Sequence, residues 1–136
     1  MKISSLKVDV KKIEDGEWVD SIPGLEGVRL KVRGSSSKAW RQMSQRLVAA
    51  IPRKKRANNV IDIDEQDRIN RVVMRDVGLL DWAGIEDDDG NAIPYSKEKA
   101  GEYLNAEYPD FRDGVLWACN QVGVANDEDA EATAKN

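Results

Sequence analysis

The residue types best able to do chemistry in this chain are carboxylates, guanidiniums, amines and one thiol. They gather as Asp87-Asp88-Asp89-Gly90, as Asp62, Asp64, Glu65 and Asp67, as the basic run Arg53-Lys54-Lys55-Arg56, and as the single Cys119. Histidine is missing altogether, which removes the commonest general base and transition-metal ligand. The aspartate run invites a calcium reading. An EF-hand loop with Gly90 at its sixth position places Ile85 first and Ser96 twelfth, where a carboxylate and a bidentate Glu are required. The fit fails, and a solvated Asp-Gly turn is the better reading. The second acidic group has no phosphate-cradling glycine loop or cationic clamp beside it. Helix capping and dipole compensation account for it more simply than a hard cation does. Cys119 falls on an apolar helical face with no imidazole to activate it and reads as an inert core thiol.

Two features remain as candidates for contacting a partner. Arg53, Lys54, Lys55 and Arg56 offer four successive cations. No aromatic platform interleaves them, so nucleic acid is disfavoured against a solvated linker or a protein-docking patch. Trp117 falls off the helical stripe made by Phe111, Val115, Ala118 and Val122, whereas Trp40 and Trp82 read as core. No catalytic residues, no metal site and no cofactor are expected, and the chain reads as non-enzymatic.

These groups must be positioned by a chain of 136 residues, for which one domain is the prior. A domain of that size buries roughly two-thirds of its unfolded surface, enough for a core without staples. One cysteine rules out an internal disulfide and fits a reducing compartment. No apolar run approaches the ~18 residues of a membrane span, and Met1-Lys2-Ile3-Ser4-Ser5 lacks a signal peptide's apolar region. A cytosolic protein is expected. The net charge of −4 is segregated. Residues 1–56 hold 14 Lys+Arg against 6 Asp+Glu, and residues 57–136 hold 7 against 19. Such asymmetry suits electrostatic steering of a partner or head-to-tail self-association.

The expected fold class is α+β: a small N-terminal antiparallel β-meander packed on a bundle of about four α-helices. Leu6, Val8 and Val10 alternate with charged residues, as a half-buried strand does. Asp15-Gly16 reads as a hairpin turn. Trp18, Val19 and Ile22 form the return strand, and Val28, Leu30 and Val32 the third. Ser35-Ser36-Ser37 offers caps for a helix carrying Trp40, Met43, Leu47 and Ile51, ended by Pro52. Asp62 or Asp64 caps a second helix, whose buried face is Ile69, Val72, Val73, Val77 and Leu80. Ser96 caps a third with Ala100, Tyr103 and Leu104. A fourth carries Phe111, Val115, Ala118, Cys119 and Val122, and Gly123 stops it. The expected organisation is a single α+β domain over 1–125, with the meander at 1–33 and the helical part at 35–125. A disordered acidic tail is expected over 126–136.

One stretch is distinctive as a whole. Leu80-Asp81-Trp82-Ala83-Gly84-Ile85 is followed by an acidic Asp-Gly turn and by Ile93-Pro94-Tyr95-Ser96 opening the next helix. Upstream lie strands carrying Trp18 and a Ser-capped helix with Trp40. Over roughly residues 15–122 this resembles the tail assembly chaperones of long-tailed bacteriophages and prophages. The resemblance implies a non-catalytic protein of the host bacterial cytoplasm, absent from the mature virion. It implies binding to the phage tape-measure protein and recruitment of major tail (tube) protein subunits. The rival readings are a structural tail or head–tail connector component, and a small nucleic-acid-binding regulator using residues 53–56.

Overall fold

The structure, a computed structural model, describes residues 1–57 and 60–124. Asn58, Asn59 and residues 125–136, which include the segment expected to be an acidic tail, lie outside the described residues.

The first apolar alternation does not make a strand. Ile3–Leu6 forms a 3₁₀ turn, and Val10–Asp15 forms a short helix, α1. Asp9 decides this locally, because its carboxylate caps the helix by accepting from the Lys12 amide at 3.2 Å. Of the apolar side chains in this segment only Ile13 is buried. Gly16, at φ 94°, ends α1 instead of turning a hairpin. The chain then enters β1 (Glu17–Val19) and, after a loop holding the buried Ile22, β2 (Arg29–Val32).

The α+β expectation holds, with antiparallel pairing of the expected second and third strands, but the expected first strand is replaced in the sheet by one from elsewhere. The sheet order is β1-β2-β5, where β5 is Leu79–Ala83. Val19, Leu30 and Trp82 align across it on one face, and Trp18, Lys31 and Asp81 on the other. The inner face meets α4 (Lys97–Tyr103) and α5 (Pro109–Gln121) in a core that includes Leu30, Val32, Leu79, Trp82, Ala100, Leu104, Val115 and Ala118.

The helix α2 (Lys38–Ala49) is capped by the fully buried Ser37, whose hydroxyl accepts from the Trp40 amide. A short ribbon, β3 (Arg56–Ala57) and β4 (Val60–Ile61), leads to α3 (Ile63–Val73), capped by Asp62. The long second helix expected through Leu80 stops earlier. It loosens into a π turn, Met74–Gly78, and then becomes β5. Widening the turn re-aims successive side chains. Val73 and Val77 enter a second cluster with Ile51 and Ile69, while Met74 enters the main core. Trp40 packs against both clusters. Gly78 has no room for a side chain: a β-carbon there would lie 2.8 Å from the Trp40 ring. Arg33 locks the junction. Its amide donates to the Gly78 carbonyl at 2.8 Å, and its guanidinium donates to the carbonyls of Glu14 and Val77 at 3.1 Å.

Candidate interaction surface

The stretch singled out by the sequence is held from inside. Trp82 is 5% exposed, and its indole Nε1 donates to the Ile93 carbonyl at 2.7 Å. Tyr95 packs edge-on against the Trp82 ring, with centroids 5.1 Å apart, and its hydroxyl donates to the Leu79 carbonyl at 3.0 Å. Burial, reinforced by the nearby Asp81 and Asp76 charges, pushes the Tyr95 phenol above its usual range. Tyr103 and Phe111 complete an aromatic cluster around Trp82.

This scaffold projects the acidic turn as a stiff finger. The Ile93 amide donates to Ile85 O at 2.8 Å, and Asp87 N donates to Asn91 O at 2.9 Å. Asp87 Oδ1 accepts from the amides of Asp89 and Asn91. Asp87 thus spends its carboxylate building the turn. Glu86, Asp88 and Asp89 are exposed and make no ion pair among the described residues. Among those residues no cluster of His, Cys, Asp or Glu is suited to a metal ion.

Cys119 lies in the core, and burial pushes its thiol up to about 12, far from a nucleophilic thiolate at neutral pH. The basic run is partly spent on internal contacts. Lys55 pairs with Glu65 at 3.0 Å while staying exposed, and the half-buried Arg56 donates to the Val48 carbonyl, so Arg53 and Lys54 are the members with no side-chain partner among the described residues. Trp117 is half-buried and packs against the main core. The run instead sits beside the second cluster, near Ile61 and the end of α2. The five residues chosen from sequence therefore do not form one patch.

A different surface emerges. The described residues with large exposed apolar side chains concentrate at the N-terminus: Met1, Ile3, Leu6, Val8 and Val10, with Ile3 at 80% exposed. Lys2, Lys7, Lys11 and Lys12 lie exposed between them. The segment is anchored where Asp9 N donates to Gly123 O at 2.9 Å. Gly123 N in turn donates to Glu17 Oε1 at 3.0 Å, at the start of β1. Next along β1, Trp18 is 39% exposed on the outer sheet face, with the Arg29 guanidinium 5.1 Å above its ring. Sequence alternation alone could have flagged Trp18, since it is out of phase with the inward Val19.

A second feature lies at the α3–α4 junction. Arg68, Arg71 and Arg75 line a cleft of about 210 Å³ with Gly101, Leu104 and Asn105. Arg68 pairs with Glu65 and Arg75 with Asp76, both through two donors, while Arg71 makes no ion pair among the described residues. The Arg75 pairing holds the Asp76 carboxyl below its ordinary range.

Taken together, the molecule is a small α+β protein presenting apolar, cationic and acidic surfaces around a closed core. Residues 35–136 match the family model described as YdaY prophage protein, and the chain belongs to that family. Comparison with curated proteins and with solved structures gave no match. The family match begins just after β2, so β1, β2 and the N-terminal apolar segment precede it. Among the described residues no helix is long and apolar enough to cross a membrane.

Proposed function

We propose that this prophage protein is a tail assembly chaperone acting by non-catalytic binding. It holds the tape-measure protein in solution in the host cytoplasm, recruits tail-tube subunits, and leaves before the virion is complete. The observation that carries the reading is the exposed apolar segment Met1–Val10, joined at Glu17 to the Trp18–Arg29 face. Exposed apolar side chains set among lysines suit the amphipathic helices of a long client, with Trp18 as an aromatic anchor. The prophage family supports the setting, and the order of motifs from Trp18 to Ser96 supports the particular role.

Co-expression with the long helical tape-measure candidate of the same prophage tests this. The full chain is expected to raise the client's solubility and to co-purify with it. Leu6→Asp and Trp18→Ala are each expected to reduce the captured client by roughly tenfold, as hot-spot losses do. An insoluble client despite abundant chain would reject the reading. Stoichiometric recovery of the chain in purified particles would instead make it a structural tail component. Capture that survives both substitutions would move the client site elsewhere.

A further inference from the structure

We infer that the acidic finger of one copy inserts into the arginine cleft of another, so that the chain self-associates head to tail. Two observations on one molecule point there. Only seven Lys and Arg stand against nineteen Asp and Glu in residues 57–136, yet three of those seven, Arg68, Arg71 and Arg75, line a single cleft. Glu65 and Asp76 engage the outer two guanidiniums, while Arg71 between them has no carboxylate partner among the described residues. The finger is the complement: Glu86, Asp88 and Asp89 are exposed without a cationic partner there, on a turn already stiffened by Asp87.

The two features do not engage each other within one copy. The cleft's arginines lie on α3 and the π turn, before β5 begins, and its other wall on α4 and the residues after it, whereas the finger follows β5's far end. None of the described ion pairs links them. A contact between unlike patches is heterologous, and it either closes into a ring or extends as a row. Gly101 lets Arg75 lie close against α4: a β-carbon there would sit 3.1 Å from Arg75 Cδ. The acceptor turn, already hydrogen-bonded through Asp87, loses little conformational freedom on meeting the cleft. Arginine forks suit carboxylates through paired hydrogen bonds. This pairing requires no client, so its failure leaves the chaperone reading standing, and the reverse also holds.

Sedimentation velocity on the full chain, across concentration and at low and high salt, tests the inference. Wild type is expected to associate at low salt and to weaken as salt screens the contact. Arg71→Glu, and separately the pair Asp88→Asn with Asp89→Asn, are each expected to weaken association by about tenfold or more. The decisive sample is an equimolar mixture of the two variants. One retains an intact finger and the other an intact cleft, so the mixture forms a 1:1 dimer that cannot extend. Should Arg71→Glu fold poorly by circular dichroism, Arg71→Ala replaces it in the same mixture. A wild type that stays monomeric, variants that associate like wild type, or a mixture without dimer would each overturn the inference. Retention of an unrelated acidic peptide by a monomeric wild type would assign the cleft to another protein and overturn it equally.

Discussion

Gly84 and Gly90 hold nearly the same backbone conformation, with φ of 88° and 83°, but stand in different surroundings. Replacing each by alanine therefore separates the cost of conformation from the cost of space. At Gly90 a new methyl meets nothing within 4 Å, so only the left-handed conformation is penalised, by about 1 kcal/mol. At Gly84 the methyl would overlap the Gly27 carbonyl oxygen and lie 3.3 Å from Val28 Cα. Those atoms are backbone and cannot rotate away. Relieving the overlap requires β5 and the loop before β2 to part, at a further cost of about 1–3 kcal/mol, typical of overpacking. Gly84→Ala is thus expected to cost about 3 kcal/mol against about 1 kcal/mol for Gly90→Ala. Removing a glycine also stiffens the unfolded chain, but that effect is shared and cancels in the difference. Urea unfolding followed by tryptophan fluorescence reads both values, with m unchanged if only native stability moves. In thermal unfolding each kcal/mol corresponds to a shift of roughly 3–5 °C at this chain length. Equal losses for the two variants would refute the close approach of Gly84 to Gly27.

Three further outcomes follow from the core and the ion pairs. Cys119 should resist maleimide at neutral pH and react fully once the chain is unfolded, because its thiol is buried and pushed up to about 12; rapid labelling of the native protein would contradict that placement. Trp82→Phe should cost about 2–4 kcal/mol in urea unfolding, combining lost core volume with an unpaired Ile93 carbonyl; a loss under about 1 kcal/mol would show the indole is not the clamp described. Glu65 is held below the ordinary carboxylate range by hydrogen bonds from Lys55 and then Arg68. Its contribution is present above the unfolded value of about 4.3 and disappears as pH falls through the lower folded value. Glu65→Gln should therefore be less stable than wild type at neutral pH, with the gap closing as pH drops below about 4; a gap independent of pH would remove the ion pairs as its source.

Much of the helical fold was legible because its signals are local. Ser37, Asp62 and Ser96 each cap the helix expected of them, since a short side-chain oxygen can reach an orphan amide two or three residues ahead whatever the tertiary context. Ile69, Leu104, Val115 and Cys119 are buried, as helical periodicity required. The N-terminal alternation misled because Asp9 supplies a cap that period-two patterning ignores. Leu79–Ala83 carries no reliable strand signal of its own, and it is a strand because β2 offers a partner there.

The interaction surface divides the same way. Charge segregation and the Asp-Gly turn were set by composition and nearest neighbours, and helical periodicity put Cys119 on the apolar face that packing then buried. Tertiary structure alone decided that Arg68, Arg71 and Arg75 share a cleft with Gly101, that Lys55 and Arg56 are engaged by partners within the chain, and that Trp18 faces outward beneath Arg29. Caps, turns and periodicity act over a few residues and are written in the chain. Which exposed groups remain without partners depends on contacts between residues far apart in sequence, and those exist only once the sheet and helices have packed.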